Sequence, residues 1–185
     1  MRLSEPRIPP LPESNWDAAQ RDLMQPFVAG GRVFNVFGTL IHHPDLLRRW
    51  LVFANHVLGK STIDVRQREV LILRTAKLVD SEYEWGQHVV IAKEAGFNDD
   101  EIQAIGTSGD GLDQVEQLLC DVADELTRDK VLSADVWAKL NEHFDTRQVM
   151  DIVFTVGQYT MLAMALNTFG AVSYTHLTLP TILLV

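Results

Sequence analysis

A chain of 185 residues, 46% hydrophobic and 22% charged, has material for one substantial core and is short for two. Its 25 acidic residues outnumber 16 basic ones, for a net charge of −9, which argues against non-specific nucleic-acid binding because phosphate neutralisation needs clustered Lys and Arg. The single cysteine, Cys120, excludes an intrachain disulfide and makes no demand for an oxidising compartment.

The opening residues "MRLSEPRIPP" lack the apolar core of a secretory signal, and no uninterrupted apolar run reaches the ~20 residues that span a bilayer. The expected setting is cytoplasmic, with no membrane or nucleic-acid partner. Residues 1–14 carry Pro6, Pro9, Pro10 and Pro12, which remove backbone donors and favour an extended arm ahead of the folded domain, expected over 15–170.

From Trp16 onward apolar residues recur at helical spacing. "NWDAAQRDLMQPFVAG" predicts a helix ending near Gly30 and Gly31, and "NVFGTLIHH" a short one halted before Pro44. "PDLLRRWLVFANHVLG" has Pro44 in its first turn and Gly59 at its end, the usual proline-first, glycine-last order. Asp64 is placed to cap "VRQREVLILRTAKLV", and "YEWGQHVVIAKEAG" stops at Gly96. "NDDEIQAI" opens with acidic residues suited to a helix N-terminus. After the glycine-rich turn "TSGDG", Leu118, Leu119, Val122 and Leu126 mark another stripe. Ser133 and Asp145 are suited to cap two further helices, the last of them apolar nearly all round and expected at the centre. The fold class is all-α.

The end of the chain breaks this pattern. In "VSYTHLTLPTILLV" Val172, Tyr174 and His176 alternate with Ser173 and Thr175, β-branched residues are frequent and Pro180 interrupts the run, and a lone strand in a helical domain has nothing to pair with. Residues 172–181 also resemble the translated read-through of a sequencing-library adapter, so 171–185 reads as a non-native tail. The alternative is a natural tail that pairs with a partner subunit.

The stretch "SEYEWGQH" concentrates polar chemistry. Ser81, Glu84 and His88 are spaced to share a helical face. A carboxylate one turn from an imidazole can orient the ring and raise its basicity, as proton transfer near neutral pH requires. The same spacing is also common on solvated faces.

The run "REVLILRTAKLVDSEYEWGQHVVIAKEAGF" resembles the carboxymuconolactone decarboxylase family, which includes the AhpD-like alkyl hydroperoxide reductases. The resemblance rests on Arg68-Glu69, on "EYEW..H" and on "A.EAGF", with weaker similarity across 33–169. It implies an AhpD-like multi-helix orthogonal bundle with the site on a two-helix core. In the AhpD-like branch one helix carries Cys-x-x-Cys-x-x-x-His, with a glutamate twelve residues before the first cysteine. The matching positions here are Ser81, Glu84, His88 and Glu69, so both sulfurs are missing. Peroxide reduction through a thiolate and a resolving thiol is then expected to be lost at this site. Cys120, in "EQLLCDVADEL", reads as a buried core residue.

What remains suits acid–base work. The resemblance implies a cofactor-free, metal-free decarboxylase or lyase acting on a small organic acid or lactone. His88 would transfer the proton, Glu84 would orient and charge-balance it, and Glu69 would hold the second ring nitrogen or act as a further base. Two carboxylates and an imidazole are also a conceivable divalent-cation set. Ser81, Tyr159 and His43 are candidate substrate contacts, with capping the competing role for His43 and structural hydrogen bonding for Tyr159 and Gln158. His56 reads as a packed or interface histidine, and Tyr83 and Trp85 as packing residues. The resemblance further implies a homo-oligomer, a trimer or a multiple of one. Two other readings stay open: a peroxidase-type activity known by family likeness alone, and a non-catalytic binding or scaffold protein.

Overall fold

The computed structural model describes residues 3, 5–30 and 33–170, and the expected tail lies outside them. Among the described residues the structure is all helical, with a 3-10 turn at Glu13–Asn15 followed by α1 (Ala18–Ala29), α2 (Asn35–Leu40), α3 (Pro44–Gly59), α4 (Val65–Leu78), α5 (Glu82–Glu94), α6 (Asp99–Ile105), α7 (Gln114–Arg128), α8 (Ala134–His143) and α9 (Thr146–Phe169).

The helix boundaries follow local chemistry. Asp17, Asp64, Asn98 and Asp113 each accept from the amide three residues on, and the side chain at that third position returns a bond to the cap backbone. Such reciprocal caps satisfy two otherwise orphaned donors and are worth about 1 kcal/mol each. Asp145 does the same with Gln148 at the start of α9, and Ser133 caps α8. Gly96, at φ 93°, turns the chain out of α5 in the left-handed region that glycine tolerates best. Gly109 and Gly111 adopt positive φ in the α6–α7 turn.

The contacts divide the described residues into two compact units, one formed by the residues up to Ala54 with those from Met164 on, the other by Asn55–Ala163. In the first, Trp16, Met24, Ile41 and Leu47 form a small core, with Phe27, Phe37 and Trp50 against it. The proline-rich arm is fastened to this unit: the Leu11 amide donates to the Gly38 carbonyl, and the amides of Arg7 and Ile8 donate to the Phe169 carbonyl.

In the second unit α4 packs against α5, α6 and α7, and Arg68 through Ala76 are buried without interruption. A helix enclosed in this way must pair every charge it carries. Arg74 accordingly bonds both Asp124 oxygens and the carbonyls of Ile105 and Thr107. Arg66 lies over the Phe97 ring and bridges Glu101 on α6 to Glu116 on α7. The apolar core around them includes Leu71, Leu73, Ile105, Leu119, Leu140 and Ile152.

The final helix differs from its expectation. α9 is long and apolar enough to cross a membrane by length and composition, yet only 44% of its most apolar window is buried. Its inward face carries Asp151, Thr155, Gln158 and Tyr159 among apolar residues, while Met150, Met161 and Met164 are exposed. It is a two-faced core helix rather than one enclosed all round.

Candidate active site

The second unit gathers one buried polar constellation from three helices. Glu69 lies on α4, Ser81 at the N-cap of α5, Glu84 and His88 on α5, and Tyr159 on α9; all five are buried. The α4–α5 connection is tight: the Ser81 amide donates to the Ala76 carbonyl at 2.8 Å, and Asp80 takes φ 54° to make the turn. That turn sets the two helices side by side and so brings Glu69 to His88.

His88 is held at both ring nitrogens. Nδ1–H donates to Glu69 Oε2 at 2.6 Å, and the Tyr159 hydroxyl lies 2.9 Å from Nε2. With a carboxylate accepting at Nδ1, the neutral ring keeps its lone pair on Nε2, where the phenol donates. The Tyr159 ring also meets the imidazole edge to face, 4.9 Å between centroids. Burial raises the Tyr159 pKa well above the ordinary phenol value, Glu69 and Glu84 raise it further and Arg68 opposes them. The phenol therefore stays protonated throughout the neutral range.

The other Glu69 oxygen accepts from Arg68 Nε at 3.1 Å and Nη2 at 3.0 Å, while Arg68 Nη1 donates to the Leu58 carbonyl at 2.6 Å. Arg68 thus balances the buried carboxylate that orients His88, and Arg68, Glu69, His88 and Tyr159 form one continuous network.

Glu84 departs from its expected role. It shares a helical face with His88 but makes no hydrogen bond to it; Glu69, from the neighbouring helix, orients the ring. Neither Glu84 oxygen nor the Ser81 hydroxyl has a partner meeting hydrogen-bond geometry. Burial, the larger influence, pushes the Glu84 carboxyl up to about 8, and the neighbouring Ser81 side chain acts in the opposite direction. At neutral pH Glu84 is an acid carrying its proton.

The remaining candidates separate. His43 is exposed, and its Nδ1 accepts from the Leu46 amide at 3.3 Å, so in this structure it caps the start of α3 and contacts none of the network. His56 is exposed rather than packed in the core, its expected interface alternative untouched by this, and its Nε2–H donates to Asp151 at 2.7 Å. Gln158 is buried with Oε1 unpartnered. Tyr83 is buried, and Trp85 packs on the core with Lys77 over its ring. Cys120 is buried and its thiol is pushed up to about 12 by burial. Among the described residues no three His, Cys, Asp or Glu side chains are arranged to hold a metal ion. To the residues that α4 and α5 bring together, α9 adds Tyr159.

Residues 44–122 match the model of the Carboxymuconolactone decarboxylase family. The likeness to this family covers that segment. It includes Arg68, Glu69, Ser81, Glu84 and His88 but not Tyr159. No curated protein matches the chain.

Solved structures extend the likeness beyond the carboxymuconolactone decarboxylase segment. An uncharacterized peroxidase-related protein of Ralstonia eutropha JMP134, described as an alkylhydroperoxidase AhpD core, superposes with a TM-score of 0.74 at 19% identity, covering 88% of this chain and 90% of that one. An uncharacterized peroxidase-related protein of Silicibacter sp. TM1040 gives 0.77 at 16%, covering 91% and 93%. A cysteine-to-alanine variant of a debrominase in complex with 2,3,4-tribromopyrrole gives 0.67 at 12%, covering 90% and 91%. At these identities the fold is shared: it is AhpD-like.

Proposed function

We propose that this chain is a decarboxylase- or lyase-type enzyme that moves a proton at a carbon of a small organic acid or lactone through Tyr159, His88 and Glu69. The observation that carries the reading is the pair of bonds on His88, to Glu69 at Nδ1 and to Tyr159 at Nε2. A carboxylate on one imidazole nitrogen fixes the tautomer and supports the ring when it becomes positive, and a hydroxyl on the other extends its reach.

In the decarboxylation form of the reaction the bond from carbon to the substrate carboxylate breaks and carbon dioxide leaves. The electron pair stays on carbon and spreads onto an adjacent carbonyl as an enolate. His88 enters this step with a proton taken from solvent: the Tyr159 hydroxyl gives its proton to that carbon and takes one from Nε2 of the protonated ring, which returns to its neutral form. Glu69 holds the ring during the exchange, and Arg68 holds Glu69 in place through two hydrogen bonds. An isomerisation would instead begin with a proton leaving carbon for the Tyr159 oxygen as the phenol gives its own to Nε2 of neutral His88, and would end with the proton returned to a different carbon.

Thiol-based peroxidase chemistry has less support. Ser81 and Glu84 stand where the AhpD-like branch has cysteines, and Cys120 lacks the accessible, acidic thiol such chemistry needs. A homo-oligomer is part of the proposal, supported by the exposed Met150, Met161 and Met164 on α9.

The test is a screen of lactone carboxylates and keto acids for carbon dioxide release and for deuterium uptake from heavy water, with His88→Ala alongside. A compound turned over equally by both proteins would remove His88 from the mechanism.

A further inference from the structure

The beginning of α5 holds buried polar atoms that the proton relay leaves unused. Ser81 is 1% exposed and Glu84 2%, and Ser81 Oγ and both Glu84 oxygens lack hydrogen-bond partners. Ser81 occupies the N-cap of this 13-residue helix without its side chain making a cap bond. Buried groups left in this condition are uncommon and unfavourable, and a ligand that completes their bonds gains what they otherwise lose.

The two residues lie seven and four positions before His88, on the same face of the helix. The N-terminal end of a helix carries partial positive charge and favours an oxyanion. We propose that the Ser81 hydroxyl and the Glu84 carboxyl form an oxyanion subsite, which takes the carbonyl oxygen of a substrate that becomes an enolate while the relay moves a proton at the neighbouring carbon. The inference rests on the proton-transfer reading of His88 and adds the ligand class: a carbonyl compound whose oxygen gains charge during reaction.

The chemistry of Glu84 fits this use. Burial holds its carboxyl at about 8, so at pH 7 it donates a hydrogen bond and does not repel the oxyanion. A neutral buried carboxylic acid is an established kind of oxyanion donor. Charged and titratable groups around this end of the site include Arg68 and Glu69 from α4, His88 from α5 and Tyr159 from α9, with Asp80 and Glu82 on either side of Ser81 in the chain. Tyr159 feels Arg68, Glu69 and Glu84 together. On α6, the other helix packed against α5, Asp99 pairs with Lys93 and Glu101 with Arg66.

Oxalate, a planar enolate mimic that stays a dianion across the range, tests the subsite by calorimetric titration of the full chain from pH 5.5 to 9.5. The expected affinity is level up to about pH 8 and weakens about tenfold per pH unit above it as Glu84 ionises. Glu84→Gln, which keeps shape and a donor, should bind at pH 7 and lose the alkaline limb. Glu84→Leu should bind about tenfold more weakly at pH 7, and Ser81→Ala several-fold more weakly. Melting curves confirm that each variant is folded. Absence of oxalate binding by the wild type, or equal binding by the wild type, Ser81→Ala and Glu84→Leu, overturns the subsite. His88→Ala separates the two proposals: oxalate binding that survives in it while no compound turns over in the wild type leaves the subsite and removes the relay. Turnover that needs His88 but ignores Ser81→Ala and Glu84→Leu does the reverse.

Discussion

Glu84→Gln should make the chain more stable in a pH window that this carboxyl defines. Its native pKa, about 8, lies above the ordinary glutamate value of 4.5, the reverse of a salt-bridged carboxylate. Below pH 4.5 both folded and unfolded chains hold the proton and there is no penalty. Between 4.5 and about 8 the native state holds a proton that the unfolded chain has released, so stability falls as pH rises, by about 1.4 kcal/mol per pH unit. The loss reaches at most about 5 kcal/mol and levels off above pH 8, where both states are ionised. Glutamine has nearly the same volume and no titration, so any fixed difference in packing shifts its curve without tilting it. Urea unfolding followed by circular dichroism at pH 5, 6, 7 and 7.5 should show the variant gaining on the wild type by about 3 kcal/mol across that range. Parallel curves, or a gap that narrows with rising pH, would refute the account of a buried, unpartnered acid.

Other expectations follow from the same network. Tyr159→Phe keeps the ring against His88 but leaves Nε2 without its buried partner, and thermal melting should register a loss of about 1–3 kcal/mol. Glu69→Gln leaves the Arg68 charge unbalanced and should destabilise by about 3–5 kcal/mol, with part of that restored in the Arg68→Met, Glu69→Gln double variant. In the native chain Cys120 should resist a thiol reagent at pH 8 and react promptly after unfolding in urea, since burial keeps it protonated up to about 12. Prompt labelling of the native chain would show an accessible thiol and reopen sulfur chemistry.

The helices were largely legible because their ends carry local chemistry. Asp64, Ser133 and Asp145 could be read as caps from type and position, and Gly96 as a stop, since these effects act within one turn of chain. The site was legible in part. His88 and Glu69 stood out through the family resemblance, but the spacing on α5 pointed to Glu84 as the partner of His88. Helical spacing reports which residues share a face and carries nothing about a neighbouring helix; the bond to Glu69 is tertiary, created by the turn through Asp80 and Ser81. Tyr159 lies 71 positions from His88, beyond any local rule, and only the habit of buried phenols to find partners signalled it. His43 and His56 were harder to place for a simpler reason: a histidine beside an apolar run looks the same whether its ring caps a helix, meets a surface carboxylate or enters a site.

In the proposed reaction His88, held by Glu69 and extended by Tyr159, transfers a proton at a substrate carbon. The most direct measurement is deuterium incorporation at carbon in heavy water, followed by proton NMR over lactone carboxylates and keto acids, for wild type and His88→Ala. The account predicts a compound that exchanges or loses carbon dioxide with the wild type and does so about 100-fold or more slowly with the variant. Equal rates in the two proteins on every compound that reacts would contradict it.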